Sequence, residues 1–175
     1  MIATTDKVYK NNEDGRSYAE DDPLGGHDPY SSSKAASEMI IVSYRKSFLS
    51  DCGISVASAR AGNVIGGGDL SVDRLLPDIY RAIQSNKKIR LRNPKATRPW
   101  QHVLEPLGGY LKLGALLSQN HQLHGEAFNF GPQAQQNHSV LELVKQMSKS
   151  WSEVRWVECE PQSSQFCESG LLKLN

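Results

Sequence analysis

The segment Tyr30-Ser-Ser-Ser-Lys34 places a phenol and an ammonium four residues apart. On a helix that spacing puts both on one face, one turn apart. A tyrosine ordinarily gives up its proton only near pH about 10, and a neighbouring cation is what lets it act as a base at lower pH. The pair is thus a compact device for taking a proton from a sugar alcohol during hydride transfer, with the lysine also placed to hold a ribose hydroxyl. A second group, Thr5-Asp6-Lys7, offers a hydroxyl, an acid and a base, the set needed to remove water from a ketosugar. Each group has a plainer reading on its own. YxxxK arises by chance with a packed tyrosine and a solvated lysine, and Thr-Asp-Lys suits a polar strand end with an Asx turn. The order of the two, with a loop between them, fits a site at the carboxyl ends of parallel strands.

Other residues extend or bound that chemistry. Arg92 and Arg98 flank a proline loop and Arg74 precedes Leu75-Leu-Pro77, and arginine forks suit the oxygens of a pyrophosphate. For Arg74 surface solubility is an equal reading. The run Gly66-Gly-Gly68 follows a strand, but a dinucleotide phosphate loop needs glycines that open a helix at the start of a βαβ unit, and residues 69–73 do not supply one. No GxxGxxG occurs anywhere in the chain. His121 and His124 have one-turn spacing and no third ligand near them in sequence, so they read as surface imidazoles rather than a metal site. The tryptophans read as core or rim.

These residues need a scaffold, and the sequence describes one. Met1-Ile-Ala-Thr-Thr5 is a short β-prone run, expected to be a strand separated from part of its sheet. Residues 10–28 are a polar loop ending in Asp28-Pro29, a helix-start signal, and residues 31–49 form a helix stopped by Gly53. A strand over 54–60 follows, then a helix over 75–84, a short basic strand over 88–92, a proline loop to Pro99 and a helix over 107–117. Residues 127–130 read as a buried strand, and 140–147 as a helix capped by Ser139. The expected fold class is α/β, with a break near residue 70.

Composition sets the outer limits. The 175 residues carry 20 basic and 19 acidic side chains, so no global field favours nucleic acid or an anionic membrane, and no partner of either kind is expected. Cys52, Cys159 and Cys167 are odd in number and share no CxxC spacing, which fits a reducing cytoplasm and no metal. Nothing resembles a leader, and no run approaches the roughly 18 apolar residues of a membrane span. The sequon at Asn137 is therefore read as incidental.

Four segments together resemble a known family: Thr4-Thr-Asp-Lys-Val-Tyr9, Asp22-Pro-Leu-Gly-Gly-His-Asp-Pro-Tyr-Ser-Ser-Ser-Lys34, Arg60-Ala-Gly-Asn-Val-Ile-Gly-Gly-Gly-Asp69 and Arg98-Pro-Trp-Gln-His-Val-Leu-Glu-Pro106. They are similar to the extended short-chain dehydrogenase/reductases, and within them to the CDP-glucose 4,6-dehydratases. The resemblance runs from residue 1 to about 132 and faintly beyond. It implies the carboxyl-terminal part of a Rossmann-type sheet with a smaller α/β substrate-binding lobe. Residues 1–70 would be the distal half of the NAD-binding domain, residues 71–175 mainly the nucleotide-sugar lobe, and 127–130 would return to the main sheet. It implies NAD as cofactor, a nucleotide sugar such as CDP-glucose as substrate, and a homodimer built on the YxxxK helix through Met39, Ile40, Val42 and Tyr44.

By matching position, Tyr30 would take the 4-hydroxyl proton and Lys34 would tune Tyr30 and hold the nicotinamide ribose. Thr5 would bond the 4-oxygen, and Asp6 would protonate the departing 6-hydroxyl. Lys7 stands where many relatives carry a glutamate base, and either takes the C5 proton or only orients the sugar. Asn63 and Arg98 would contact substrate, with Arg92 and Arg74 further candidates. The tail departs from the family, with Phe166-Cys167-Glu168 where relatives often carry Pro-His-Glu, and the chain is expected to be short at both ends. Rivals are an epimerase or reductase sharing YxxxK, which has no water for Asp6 and Lys7 to expel, and a catalytically silent truncated binder of nucleotide sugars.

Overall fold

The computed structural model describes residues 1–12, 14–133, 136, 138–159 and 173–175. Its central sheet is parallel, in the order β1 (Ile2–Ala3), β2 (Ser58–Ala61), β7 (Ala127–Phe130), with Ala3 opposite Ala59 and Ala59 opposite Phe128. Helix α1 (Pro29–Tyr44) joins β1 to β2. Strand β3 (Val64–Ile65) leads to α2 (Leu75–Gln84), β4 (Ile89–Leu91), β5 (Thr97–Arg98) and β6 (Gln101–His102), and then α3 (Leu104–Leu117) precedes β7. After it come β8 (His138–Ser139), α4 (Val140–Ser150) and β9 (Trp156–Glu158). Three further ladders pair β3 with β6 and β4 with β9 in parallel, and β5 with β8 antiparallel.

The period of two along β2 assigns its faces. Ala57 and Ala59 pack with Leu113 and Leu117 of α3, and with Phe128 and Phe130 of β7. Ser58 and Arg60, on the alternate positions, bond Glu38 of α1. The sheet is therefore covered by α3 on one face and α1 on the other. Gly109 lets α3 approach so closely that a methyl there would land on the Phe130 ring. A second core joins Ile79, Ile89, Leu91, Val144 and Val154, contributed by α2, β4, α4 and the approach to β9. Trp156 packs against it, and Trp151 is exposed.

Several expected boundaries move, each for a visible reason. The strand expected over 54–60 begins only at Ser58, because the Val56 N–H donates to His124 Nδ1 at 3.1 Å and its carbonyl accepts from Gly125 at 2.7 Å. His124 is thereby half-buried and structural, a correction to its reading as a surface imidazole, whereas His121 is exposed. The helix expected over 31–49 is α-helical to Tyr44 and then widens into a π turn, Arg45–Leu49, before Gly53 at φ +66. Helix α3 starts three residues before the expected 107, with Pro106 in its first turn, where a missing N–H costs no helical bond. The Ser139 cap is present as a capping box, Glu142 N–H donating to Ser139 Oγ at 3.2 Å and Ser139 N–H to Glu142 Oε2 at 2.7 Å, and α4 runs on to Ser150. The expectations for Asn137, Phe166, Cys167 and Glu168 lie outside the described residues.

Candidate active site

Helix α1 is started by its own sequence. Asp28 Oδ1 accepts from Ser31 N–H at 3.0 Å and Oδ2 from Ser31 Oγ at 2.5 Å, and Pro29 supplies a first-turn φ without needing a partner. Those two bonds hold the Asp28 carboxyl below its ordinary range. Gly26 lies so close under the helix start that a Cβ would come within 2.5 Å of Ser32 N, so only glycine fits there. Tyr30 consequently stands at the first turn with 51% of its surface exposed, and Lys34 follows half-buried one turn on.

The Thr5-Asp6-Lys7 group sits where β1 ends. Asp6–Val8 form a single 3-10 turn with Thr5 as its cap. Thr5 Oγ1 donates to Asp6 Oδ1 at 3.0 Å and weakly accepts Lys7 N–H at 3.4 Å. Asp6 is 3% exposed. Burial pushes its carboxyl from 3.8 up to about 6, against smaller lowering effects of the Thr5 bond and of the Lys7 and Arg98 charges. Gly62, just past β2, makes room for it, since a Cβ there would be 3.1 Å from Asp6 Oδ2 and 3.0 Å from Pro99 Cγ.

The two groups meet at Tyr30. Lys34 Nζ lies 5.8 Å from the Tyr30 ring centroid and Lys7 Nζ 6.0 Å from it, so both lysines approach the same ring. Phenol, carboxyl and ammonium are gathered at the carboxyl ends of β1 and β2, where open parallel sheets assemble their sites.

The arginines divide. Arg98 is 8% exposed, near enough to Asp6 to act on its charge, and donates from Nη1 to the Thr97 carbonyl at 2.8 Å. Asn63 is half-buried beside Gly62, its carbonyl accepting from Gln101 N–H at 3.2 Å. Arg92 and Arg74 instead attend the 69–73 loop, Arg92 donating to Asp73 at 3.0 Å and Arg74 facing Asp69 at 3.5 Å. Arg81 secures the same loop at the Leu70 and Ser71 carbonyls, at 3.0 and 2.9 Å.

Sequence reasoning missed a buried polar network. Glu38 of α1 accepts Thr4 Oγ1 at 2.5 Å, Ser58 Oγ at 2.9 Å, and Arg60 Nε and Nη2 at 3.0 and 3.1 Å. Arg60 Nη1 donates to Tyr9 Oη at 3.0 Å and to the Glu20 carbonyl at 2.8 Å, and Tyr9 donates to Asn129 Oδ1 at 2.6 Å. Burial works to raise the Glu38 carboxyl, but the bonds from Arg60, Thr4 and Ser58 outweigh it and leave it below its ordinary value. The signals were a glutamate one turn beyond Lys34 on the same face, and an arginine in a strand of small residues. Among the described residues, no group of His, Cys, Asp and Glu is placed to hold a metal, and no helix is long and apolar enough to cross a membrane.

A parallel sheet covered by helices on both faces, with a Tyr–Lys pair opening the helix that follows its first strand, is an α/β architecture with its candidate site at the strands' carboxyl ends. The chain belongs to the NAD dependent epimerase/dehydratase family, whose model matches residues 1–131. It is 40% identical over 181 residues to CDP-glucose 4,6-dehydratase of Salmonella typhimurium, covering 98% of this chain and 50% of that enzyme. It is 27% identical to dTDP-glucose 4,6-dehydratase of Streptomyces griseus, covering 89% and 45%. The chain thus spans about half the length of the curated relatives it matches. Among solved structures, dTDP-glucose 4,6-dehydratase of Bacillus anthracis in complex with NAD superposes with a TM-score of 0.73 at 22% identity, over 99% of this chain and 51% of that one. An epimerase of Methanothermobacter thermautotrophicus superposes with a TM-score of 0.80 at 17% identity, over 99% and 49%. At these identities the superpositions establish the Rossmann-type fold.

Proposed function

We propose that this chain supplies the catalytic residues of a nucleotide-sugar 4,6-dehydratase that uses NAD and acts on CDP-glucose. The observation that carries the reading is Asp6: a buried carboxyl raised to about 6, beside Lys7 and within one site of Tyr30 and Lys34. Dehydration needs an acid that still holds a proton to give to a departing hydroxyl, and an epimerase has no use for one.

The Tyr30 hydroxyl and the Lys34 ammonium form a donor set that suits a ribose hydroxyl and a sugar oxygen, and the half-exposed ring leaves the hydroxyl accessible. NAD, when bound, supplies a hydride acceptor for C4 and a donor for C6. Tyr30 takes the proton of the sugar 4-hydroxyl as C4 is oxidised, with Lys34 one turn along the same helix face. Thr5, whose hydroxyl bonds Asp6 in this state, turns to the 4-oxygen. Asp6 gives its proton to the 6-hydroxyl, which leaves as water, and Lys7 removes the C5 proton as a free amine or, as an ammonium, only orients the sugar. C5 is then reprotonated as C6 is reduced, and the proton held by Tyr30 passes to solvent while Asp6 takes one up, so that C4 remains a ketone and the side chains are reset.

Arg98 and Asn63 are the substrate contacts nearest this chemistry, and Arg74 and Arg92 would reach a pyrophosphate through the 69–73 loop. Residues 1–70 with the returning 127–130 serve the cofactor and catalytic side, and residues 71–175 mainly the nucleotide sugar. Met39, Ile40, Tyr44 and Phe48, exposed by 58%, 61%, 59% and 62% along α1 and the turn after it, would pack on a second copy. Sedimentation of the chain against Ile40→Glu tests that dimer. The free thiols of Cys52 and Cys159 suit a cytoplasmic setting.

The deciding experiment incubates the protein with CDP-glucose and NAD and reads the sugar nucleotide by mass spectrometry and NMR. Loss of one water with a 4-keto-6-deoxy product is expected. A 4-epimer of unchanged mass would replace this reading by the epimerase one, and no turnover with retained CDP binding would favour the silent binder.

A further inference from the structure

Glu38 and Arg60 lie away from the reacting groups, yet they hold both halves of the site. Tyr30, Lys34 and Glu38 follow one another at single-turn spacing along one face of α1. The Glu38 carboxylate takes the hydroxyl of Thr4, the residue before Thr5, at 2.5 Å. Arg60, forked onto Glu38 at 3.0 and 3.1 Å, reaches Tyr9 Oη at 3.0 Å, and Tyr9 ends the turn that Asp6 begins. The pair is 2% and 4% exposed. It therefore grips the Thr5-Asp6-Lys7 turn at both ends, and its Glu38 member belongs to the helix that carries Tyr30 and Lys34.

We propose that the Glu38–Arg60 pair is the positioning device of the site, fixing the distance from the Tyr30–Lys34 face to the Asp6–Lys7 turn. Cohesion alone does not call for it, because an apolar pair of similar volume commonly fills such a space with equal or greater stability. What an ion pair with fixed hydrogen-bond directions adds is placement. The reaction that placement serves rests on the dehydratase reading above, while the placement itself is measurable without turnover.

The test compares the wild-type chain with Arg60→Met, with the double variant Glu38→Met/Arg60→Met, and with Arg60→Lys. Three quantities are read: the Tm, the NOE between the Tyr30 ring and the Lys7 side-chain methylenes, and kcat and KM for CDP-glucose. Arg60→Met should lower the Tm by about 10 °C, leaving a buried carboxylate unpaired, and the double variant should recover most of that loss. In the double variant the NOE should nonetheless vanish and kcat fall about 100-fold with KM little changed. Arg60→Lys keeps the charge but loses the fork, and should weaken the NOE at a wild-type circular dichroism spectrum, which decides the matter if the double variant fails to fold. A wild-type NOE in whichever of these two variants folds overturns the proposal. If the wild type shows no turnover, the dehydratase reading falls and the NOE comparison still stands.

Discussion

Lys7 Nζ stands 6.0 Å from the centre of the Tyr30 ring, although Lys7 belongs to the turn after β1 and Tyr30 to the first turn of α1. That approach joins the turn that bears Asp6 to the helix that bears the Tyr–Lys pair, and Tyr30 tests the reading proposed for them. Tyr30→Phe should cut turnover by about 10²–10⁴-fold, the usual contribution of a positioned proton acceptor. Tyr30 is half-exposed and its hydroxyl makes no hydrogen bond among the described residues, so the Tm should stay within about 2 °C. Stopped-time assays with parallel thermal melts check both, and a large fall in Tm would recast Tyr30 as structural.

Asp6 makes the fold pH-dependent in a defined window. Its folded value of about 6 lies above the ordinary 3.8, so the protonated form is favoured in the fold, and a cost appears as pH rises from about 4 to about 6 and then levels off. Two units correspond to about 3 kcal/mol. Asp6→Asn should accordingly be more stable than wild type at pH 7 by up to that amount and no more stable at pH 4. Urea midpoints at the two pH values decide; an equal difference at both would mean that the carboxyl does not titrate there.

Glu38 has the opposite sign. Its folded value lies below the ordinary 4.5, so its stabilising effect is complete above pH 4.5 and disappears as pH falls through the lower, folded value. Glu38→Gln leaves Arg60 buried without its charge partner and should cost about 3–5 kcal/mol at neutral pH. The gap between the variant and wild type should narrow in strong acid, as followed by denaturant melts from pH 7 to pH 3.

Two neighbouring glycines of α3 should respond in opposite directions. Gly109→Ala drives a methyl into the Phe130 ring and should destabilise by about 1–3 kcal/mol. Gly108→Ala meets nothing within 4 Å and should gain up to about 1 kcal/mol from helix propensity alone. Chemical denaturation of the two variants beside wild type checks the pair.

What the sequence revealed follows from where its signals are local. Asp28-Pro29 before Tyr30, and Ser139 with Glu142, announce helix starts because the capping atoms lie within three residues of the groups they satisfy. The strand at 127–130 was legible as a bounded apolar run, and its pairing with β2 is observed. Val56 misled because its backbone is taken by His124, a partner far along the chain. The Glu38–Arg60 pair was hidden for the same reason, since neither residue is unusual until the sheet brings α1 over β2. Arg92 and Arg74 were legible as cations beside a loop, but the aspartates they face, Asp73 and Asp69, could be assigned only once the loop was folded.

The short strand β1 has a consequence for handling the protein. Ile2 and Thr4 donate their N–H groups to the carbonyls of Ala57, just before β2, and Ala59 within it, so Ala3 between them turns its own N–H and carbonyl to the opposite side, where no strand among the described residues pairs with it. Met1 and Ile2, exposed by 41% and 42%, lie along that side. Such an edge is a template on which any extended peptide can crystallise its backbone order, including a second molecule's. Light scattering should therefore climb with concentration in the purified chain, and a lysine introduced at Ile2 should restrain it.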